Sequence, residues 1–389
     1  MKLAFCLFRY FPYGGIQRDF LRIAEICARR GHELHLFTLR WDGPSPHFPL
    51  QLHLLPASAA RNHHRYEQFA DELDRATSDK QFDLLIGFNK MPHLDVYFCG
   101  DPCFLHDAHT RRSRLYRMSG RFRHFSRFER AVFSPEAGVE ILLLSKREGE
   151  RYQRWHNTPD QRLHLLPPSV AADRVNLPAR DESRQAIVRE RGINPEHRLI
   201  LMIGSGFRTK GVHRAIRAVA SLPPPLRRTS HLLVVGRGRS WRYRLLARRL
   251  GIAANVHFLQ GRDDVPALLA AADYQLHVSV KENTGGAIAE GLVAGLPMIV
   301  TEACGYAEHV QAAGAGFVVA EPFSQQSLNR MLGEMMAAPD DQRRGWRAAA
   351  LAYAAATDLT SGPERAAELI EQFGNHRQNC PATNRVPVR

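Results

Sequence analysis

The chain of 389 residues is too long for a single modest core, so its length predicts two domains. Its hydrophobic content of 44% is ordinary for a soluble globular protein, and no run approaches the roughly 18 apolar residues of a membrane-spanning helix. The formal net charge of +14 indicates an anionic partner.

The amino terminus begins with a short apolar run, residues 3–8, which ends at Arg9. This run is too short for a signal peptide and lacks a small-residue cleavage site, so we interpret it as a first buried strand. The six cysteines do not resemble a disulfide framework and suit a reducing compartment. Together these features predict a protein that is made and kept in the cytoplasm.

The first strand is followed by a glycine turn and an amphipathic helix. The strand-like run covers residues 2–9, the turn contains Gly14 and Gly15, and apolar residues at helical spacing predict a helix over residues 17–30. Strand, glycine turn and helix make the first unit of a doubly wound fold, and the free N–H groups at the helix start can bind an anion. Asp19 lies in the first turn of this predicted helix, where it either faces a bound ligand or compensates the helix dipole.

Strand-like runs then alternate with helical stretches through the first half of the chain. These runs are residues 33–40, 50–55, 82–88, 96–99, 140–144 and 163–166. Their alternation with helices predicts a mostly parallel sheet that is covered by helices on both faces. The pattern breaks over residues 171–197, a charged and polar stretch that we interpret as the connection between two domains.

The same alternation restarts after this stretch. A strand at residues 199–203 leads into a glycine-rich loop, and further strands are predicted at residues 231–235, 256–259, 275–280, 298–300 and 316–319. Two Rossmann-like domains in tandem are therefore predicted, with a ligand cleft at the carboxyl ends of both sheets. The first domain covers residues 1–170 and the second 171–373, with terminal helices able to pack back on the first. Residues 374–389 are predicted to be a disordered tail.

Basic residues after two strands are candidates for binding a diphosphate. Arg208 and Lys210 stand among glycines after the strand at 199–203, and a diphosphate leaving group requires positive charge that is fixed before the reaction. A cation after a strand can also do no more than solvate the end of a loop. Arg262 follows a later strand, and a pairing with its neighbouring aspartates explains it equally well.

The stretch KENTGGAIAEGLVAGLP, residues 281–297, combines two carboxylates with a glycine turn. Glu282 and Glu290 lie eight positions apart, on either side of a turn that opens a helix running to about Ala294. The residues of this turn are Asn283, Thr284, Gly285 and Gly286. A phosphate fits the free N–H groups at the helix start, while Glu290, two turns into the helix, can accept hydrogen bonds from a ribose diol and Glu282 from sugar hydroxyls. This pattern predicts a nucleotide-sugar site, and the alternative is a capped helix with two solvated glutamates.

One cluster of cysteines and histidines has a spacing close to that of a zinc site. Cys99, Cys103, His106 and His109 form C-x3-C-x2-H-x2-H. Both cysteines lie at or just past the end of an apolar strand, where buried free thiols are common. Because short spacings are weak evidence, we predict no metal here.

Several of these motifs together resemble a known family. The E-x7-E of Glu282 and Glu290, the AGLP that follows, the glycine pair at 14–15 and the Lys210-Gly211 step resemble the retaining glycosyltransferases with two Rossmann-like domains, the GT-B fold. The segments AFCLFRYFPYGGIQRDF, GFNKMPHLDVYF, CGYAEH and AEPFSQQSLN resemble the lipopolysaccharide core heptose glucosyltransferase I family. This similarity extends from the first strand to about Phe373.

The resemblance implies that the donor is UDP-glucose or a related UDP-hexose and that the acceptor is a heptose of the lipopolysaccharide inner core. It implies roles for Gly15, Asp19, Arg174, Lys210, Glu282 and Glu290. Gly14, Arg208, Arg262 and residues 283–286 are further candidates for contacts with the donor. Asp19 is expected to orient the acceptor hydroxyl or assist its proton, with Asp101 as a neighbour.

Retaining transfer in this fold is thought to need no pair of carboxylates about 5 Å apart, unlike hydrolysis. Lys210 and two helix starts would stabilise the departing diphosphate, so no metal and no cofactor besides the UDP-sugar is expected. The sequence departs from the family at Thr209, where an arginine is usual directly before the lysine, and Arg208 lies one place earlier. Residues 283–286 also replace smaller, more apolar residues.

Two other functions remain as alternatives. One is a nucleotide-sugar epimerase, or another UDP-hexose or UDP-N-acetylhexosamine transferase, of the same fold. The other is a nucleic-acid-binding protein, which only the charge suggests and which no recognisable nucleic-acid fold supports. We therefore predict no nucleic-acid partner.

The segment of residues 105–133, which we call the basic segment, contains eight arginines and two acids. Its net charge of +6 equals that of residues 1–170 as a whole, so it accounts for the cation excess of the first half. Apolar residues recur within it at helical spacing, at Leu115, Met118, Phe122 and Phe125. The segment is either a pair of ordinary surface helices or a basic, aromatic-bearing element at a membrane. Because the implied acceptor is lipid-linked, we predict that Arg117, Arg121, Arg123 and Arg127 bind the anionic cytoplasmic face of the bacterial inner membrane.

Overall fold

The structure is a computed structural model, and it describes residues 1–12, 14–78 and 82–379. In chain order the strands are β1 Lys2–Cys6, β2 Arg9–Tyr10, β3 Glu33–Thr38, β4 Arg40–Trp41, β5 Gln51–Leu54, β6 Leu84–Gly87, β7 Val96–Cys99, β8 Glu140–Leu143, β9 Leu163–Leu165, β10 Arg198–Ile203, β11 Ser230–Val235, β12 Val256–Gln260, β13 Tyr274–His277, β14 Met298–Thr301 and β15 Gly316–Val319.

The helices alternate with these strands along most of the chain. They are α1 Gly15–Arg29, α2 Asn62–Ser78, α3 Phe104–Arg111, α4 Gly120–Phe133, α5 Lys146–His156, α6 Ala172–Val175, α7 Arg180–Arg191, α8 Val212–Ala220, α9 Pro224–Arg228, α10 Trp241–Arg249, α11 Val265–Ala271, α12 Gly286–Val293, α13 Ala307–Ala313, α14 Gln325–Ala337, α15 Asp340–Ala356 and α16 Gly362–Asn379. Short 3-10 helices lie at Leu115–Met118, Asp160–Arg162 and Ala253–Asn255. Within the described residues, no helix is both long enough and apolar enough to cross a membrane.

These strands and helices form two α/β units. The first consists of Met1–Pro167 together with the chain from Ser361 onward, and the second is Pro168–Thr360. The boundary predicted from the sequence lies after residue 170. The predicted disordered tail begins at residue 374, but α16 continues to Asn379, so that prediction is wrong for residues 374–379. Residues 380–389 lie outside the described residues.

The first unit is built on a seven-stranded parallel sheet in the order β5-β3-β1-β6-β7-β8-β9. Side chains of β1 alternate between two cores, with Leu3 and Phe5 on one face and Ala4 and Cys6 on the other. The face of Phe5 is covered by α1 and α16, whose Ile370 is fully buried. The chain crosses from one side of β1 to the other between β5 and β6, so the topological switch point lies between β1 and β6.

The second unit repeats this plan with six parallel strands in the order β12-β11-β10-β13-β14-β15. Leu199 and Leu201 of β10 pack into one core, and Ile200 and Met202 pack into the opposite one. A strand buried on both faces carries an uninterrupted apolar run, which is why the sequence reveals it readily. The switch point lies between β10 and β13, and residues that follow these two strands meet at one edge of the sheet.

The stretch predicted as a connection between domains, residues 171–197, is largely helical instead. It forms α6 and α7, and Ile187 and Val188 of α7 are buried against the core that contains Leu199. The polar composition of α7 reflects an exposed face that is broader than its buried one. The stretch interpreted as the connection between the domains is therefore folded and belongs to the second unit.

Candidate active site

Lys210 and Glu282 meet at the switch point of the second unit. Lys210 lies in the loop after β10 and Glu282 in the loop after β13, and these two strands are neighbours in the sheet. The ammonium group of Lys210 forms an ion pair with Oε1 of Glu282. The two loops are also joined through their backbones, because Val280 N donates to Thr209 O at 2.7 Å. The structure thus brings together two residues that are 72 positions apart.

The second carboxylate oxygen of Glu282 is bound by residues that precede it. His277 Nε2 donates to Oε2 of Glu282 at 2.7 Å, and Ser279 Oγ donates to the same atom at 2.6 Å. His277 ends β13 and is 1% exposed. The backbone carbonyl of Ser279 accepts from Thr301 Oγ1 at 2.8 Å and from Arg214 at 2.9 Å. Glu282 is therefore held rigidly, at both oxygens, before any ligand arrives.

Burial and neighbouring charges determine the protonation of His277 and Glu282. Burial alone would lower the pKa of His277, but the Glu282 carboxylate outweighs it and raises that pKa to about 9. Burial would likewise raise the pKa of Glu282, but His277 and Lys210 outweigh it and hold that pKa well below its ordinary value. At neutral pH the group is consequently one carboxylate between two cations. Its net positive charge suits an anionic ligand.

Two glycines let the Lys210 loop approach the strands closely. Gly204 has φ +143°, and a Cβ there would lie 2.7 Å from Cε of Lys210. Gly211 has φ +74°, and a Cβ there would lie 2.0 Å from the carbonyl oxygen of Val278. Both positions favour glycine in conformation and in space. A side chain at either would displace Lys210 or the loop after β13.

The predicted glycine turn opens α12 beside this group. Gly285 has φ +95°, and a Cβ there would lie 3.4 Å from Nε2 of His277. Gly286 is the exposed first residue of α12, while Asn283 is buried and Thr284 O accepts from Tyr306 N at 2.9 Å. The first N–H groups of a helix have no partner within the helix and form an anion-binding site.

Glu290 lies closer to the start of α12 than predicted. The helix begins at Gly286, so Glu290 is in its second turn, not two turns beyond the start, and it is partly buried. One turn of helix rises about 5.4 Å, so Glu290 lies about one turn from the anion-binding start of α12. The position remains compatible with the predicted contact to a ribose diol.

The three arginines predicted near the donor have different surroundings. Arg208 is exposed. Arg262 donates to Glu190 at 2.8 and 3.0 Å and to Asp264 at 2.6 Å, so neighbouring acids already engage its guanidinium. Arg174 lies on α6, which contacts α12; its Nε lies 3.3 Å from Oδ2 of Asp173, and its buried Nη1 has no hydrogen-bond partner among the described residues. A buried donor without a partner is costly, which marks Arg174 as a ligand-binding candidate.

Helix α1 of the first unit also begins at a pair of glycines, although Gly14 is extended and not left-handed. Gly14 caps α1 and Gly15 is its exposed first residue, while Tyr13 lies outside the described residues. Asp19 is the fifth residue of α1, partly buried in the second turn, whereas the sequence analysis placed it in the first. It thus occupies in α1 the position that Glu290 occupies in α12. Asp101 follows β7, and its carbonyl oxygen accepts from Tyr152 Oη at 2.8 Å.

The residues with zinc-like spacing do not converge on one point. Cys103 is grouped with Glu129 and His156, not with His106 and His109, in a buried cluster whose ligand atoms lie within 4.8 Å of one another. A second such cluster in the described residues joins His277, Glu282 and Cys304. In both clusters a lysine already pairs with the glutamate.

The basic segment exposes two apolar side chains. Leu115 is 77% and Met118 is 76% exposed, and both lie on the 3-10 helix between α3 and α4. Phe122 and Phe125 are instead partly buried, so these four residues do not form one continuous apolar face. The arginines differ as well: Arg121 and Arg123 are exposed, while Arg117 donates to His109 at 2.7 Å and Arg127 pairs with Glu67 at 2.5 Å.

The family of this chain follows from its similarity to known proteins. The sequence model of glycosyl transferases group 1 matches residues 183–352, and that of glycosyltransferase family 4 matches residues 13–174. The lipopolysaccharide glucosyltransferase WaaG of Escherichia coli K12 is 39% identical over 370 residues, which cover 95% of this chain and 98% of WaaG. The chain belongs to the lipopolysaccharide glucosyltransferase family.

Solved structures agree with this assignment to the lipopolysaccharide glucosyltransferase family. A crystal structure of WaaG matches with a TM-score of 0.88, covering 95% of this chain and 99% of that one. Anabaena HepE, solved in complex with UDP-glucose, matches with a TM-score of 0.73, covering 96% of this chain and 100% of HepE. Because the identity is 17%, this match supports the fold and nothing further. The predicted GT-B fold is confirmed.

Sequence reasoning missed His277, Ser279 and Cys304, which surround Glu282. A histidine at the end of an apolar strand carries no motif of its own. The available signal was its position, because His277 ends the strand that leads into the E-x7-E motif. Side chains at the carboxyl end of such a strand face the ligand edge of the sheet.

Proposed function

We propose that this member of the lipopolysaccharide glucosyltransferase family transfers a hexose, glucose, from UDP-glucose to a heptose of the lipopolysaccharide inner core with retention of configuration. The observation that carries the proposal is the Glu282 carboxylate, held between Lys210 and His277 beside the glycine turn of α12. Fixed cations and the N–H groups at a helix start are suited to bind a diphosphate, and a fixed carboxylate is suited to accept hydrogen bonds from sugar hydroxyls.

The donor contacts follow from this arrangement. Lys210 and the first N–H groups of α12 would bind the diphosphate, with Arg174 and Arg208 as further cations, and Glu290 would accept hydrogen bonds from the ribose. Glu282 would accept from hydroxyls of the hexose. Because two cations stabilise its negative charge, Glu282 is a weak nucleophile and acts by positioning the sugar.

The chemical step requires stabilisation of the charge that develops on the leaving diphosphate. Lys210 is already fixed by its ion pair, so it needs no reorganisation when that charge appears. In the first unit, the start of α1 at Gly14 and Gly15 offers a further anion site, and Asp19 would orient the acceptor hydroxyl or assist its proton. We assign Asp101 to the acceptor side. No metal is required for these roles.

We further propose that the basic segment holds the enzyme at the anionic cytoplasmic face of the inner membrane. Exposed Leu115 and Met118 can enter the headgroup region, and exposed Arg121 and Arg123 can pair with anionic lipids. Arg117 and Arg127 would contribute less because His109 and Glu67 already engage them. A lipid-linked acceptor is met at such a surface.

A donor screen with purified heptose-containing core acceptor tests the transfer. UDP-glucose, UDP-galactose and UDP-N-acetylglucosamine are compared, and NMR of the product determines the linkage. The expected result is an α-linked glucose on heptose. Interconversion of UDP-hexoses without transfer would identify the epimerase alternative, and preference for another donor would replace glucose in the proposal.

A further inference from the structure

A polar cavity lies at the edge of the second sheet opposite the candidate active site. It has a volume of about 300 Å³ and includes Arg198, the first residue of β10, and Tyr274, the first residue of β13. Lys210 and Glu282 follow the carboxyl ends of the same two strands. A six-residue strand spans about 20 Å, so the two sites are separate.

The lining of this cavity, which we call the arginine cavity, is strongly basic. Six arginines contribute to it, together with three acids. The arginines are Arg180, Arg184, Arg198, Arg343, Arg344 and Arg347. Part of this charge has a structural role: Arg180 donates to Asp273 at 2.7 Å and Arg184 donates to the same carboxylate at 3.0 Å. Both arginines also donate to backbone carbonyls, among them those of Ala272 at 2.7 Å and His197 at 2.6 Å, so their donors are largely engaged within the fold.

Arg198 of β10 donates to the carbonyl oxygen of Met336, and helix α15 supplies the other three arginines from one face of its first two turns. Arg343 pairs with Asp340, while Arg344 is exposed. Arg347 is partly buried, and burial lowers its pKa; the neighbouring Arg180 lowers it further, while Asp273 opposes both effects only in part. A guanidinium that is both desolvated and repelled is stabilised when an anion binds beside it.

We propose that the arginine cavity binds a phosphate-bearing anion at a site distinct from that of the sugar donor. Planar guanidinium groups match the oxygens of a phosphate bidentately, and several of them in one cavity suit two or more negative charges. The volume is at the small end of ligand pockets, so it accommodates a phosphate or diphosphate group and not a whole nucleotide sugar. The phosphate belongs either to a soluble small molecule or to a lipid headgroup.

Pyrophosphate binding to the full-length protein tests this proposal. Calorimetric titrations are made with and without saturating UDP, at ionic strength held constant with sodium chloride. We expect saturable binding that persists with UDP and weakens about tenfold or more in Arg344→Gln/Arg347→Gln, since each charge-assisted hydrogen bond contributes substantially. Arg330→Gln, an exposed arginine on α14 outside the cavity, is the matched control and should bind like the parent.

The single variant Arg344→Gln keeps the test valid if the double variant does not fold, because Arg344 is exposed. Displacement of pyrophosphate by vesicles with phosphatidic acid, but not by phosphatidylcholine alone, assigns the ligand to a lipid headgroup. No displacement by either assigns it to a soluble molecule. Binding that UDP abolishes, no saturable binding, or equal affinity of parent and variants would overturn the proposal.

Discussion

The Oε2 atom of Glu282 lies 2.7 Å from Nε2 of His277, a buried histidine that no motif identifies. His277 thereby holds one carboxylate oxygen while Lys210 holds the other. The pKa of His277 is raised to about 9, so the stabilisation from its charged form is complete below its ordinary pKa of about 6.5 and is lost as the pH rises through about 9. The pKa of Glu282 is lowered, so its carboxylate persists well below neutral pH.

We therefore expect His277→Gln to lower kcat/KM at pH 7 and to remove the alkaline decline with an apparent pKa near 9. The pH profile of transfer between pH 6 and 10 measures this effect, and circular dichroism checks the fold. His47→Gln, at an exposed histidine, is the control and should keep the parental profile. An unchanged alkaline decline in folded His277→Gln would contradict the assignment.

Lys210→Ala and Glu282→Ala are expected to abolish most transfer while leaving the fold intact. A lost charge-assisted contact in the transition state typically costs roughly 3 kcal/mol, or about a hundredfold in rate. Initial rates with UDP-glucose and thermal unfolding are measured for both. Lys146→Ala and Glu308→Ala, at exposed positions, serve as controls. Near-normal turnover of both folded variants would refute this site.

Transfer should continue in excess EDTA. Lys210 and the helix start would supply the positive charge that a metal supplies elsewhere. The cluster of His277, Glu282 and Cys304 has metal-ligand chemistry, but the histidine must lose its proton to bind a metal, which its raised pKa opposes. Rates are compared before and after chelation. Complete loss that magnesium restores would show that this prediction is wrong.

Membrane binding should depend on the exposed residues of the basic segment. Glutamine at Arg117, Arg121, Arg123 and Arg127 should weaken co-sedimentation with anionic vesicles, and Arg121→Gln/Arg123→Gln should account for most of the effect. Each such arginine contributes about 1 kcal/mol near an anionic leaflet, and salt screens this attraction.

Two further double variants separate the apolar contribution to vesicle binding from a general effect of charge. Leu115→Ser/Met118→Ser should reduce binding at high salt, where the apolar contribution dominates. Arg29→Gln/Arg75→Gln, which changes two exposed arginines elsewhere in the first unit, should bind like the parent. Equal binding to neutral vesicles, or no effect of the four glutamines, would return the segment to an ordinary surface role.

Glu129 should be essential for the stability of the first unit. It is fully buried, accepts from Lys90 at 2.5 Å and His156 at 3.0 Å, and caps α3 through N–H groups of Phe104 and Leu105 at 2.6 and 2.9 Å. Removing one partner of a buried ion pair costs about 3 to 5 kcal/mol. Urea unfolding of Glu129→Ala measures the loss, with the exposed Glu136→Ala as control.

Glu129 should also make the stability of the first unit depend on pH in the acid range. Burial would raise the pKa of Glu129, but Lys90 outweighs it and lowers that pKa to about 2. Its contribution to stability is therefore complete above the ordinary pKa of about 4.3 and is lost as the pH falls toward 2. Glu129→Gln should flatten the pH dependence of unfolding between pH 2 and 5; an unchanged slope would contradict this.

Regular strands and glycine turns were predictable because their signals are local. The strand that ends before Gly204 and the helix start at Gly285 follow from an apolar run and from residues that favour unusual φ angles. The helix α7 was missed because its sequence is mostly charged, and only contacts with Leu199 and its neighbours reveal the buried side.

Partners distant in sequence could not be predicted. The Arg127–Glu67 pair joins residues 60 positions apart, so no spacing rule distinguishes Arg127 from the equally exposed Arg123. The pairing of Lys210 with Glu282 likewise depends on the order of strands in the sheet, which the sequence alone indicates only through the family resemblance.

The return of α16 to the first unit has a consequence for biosynthesis. Ala366, Ala367 and Ile370 belong to the same core as Leu3 and Phe5, although the whole second unit separates them in the chain. During translation, the amino-terminal half emerges from the ribosome long before α16 is synthesised. The second unit is continuous in the chain, so it can complete its fold before the first unit does. Nascent chains stalled before residue 361 would therefore leave the Phe5 core open to chaperones and proteases.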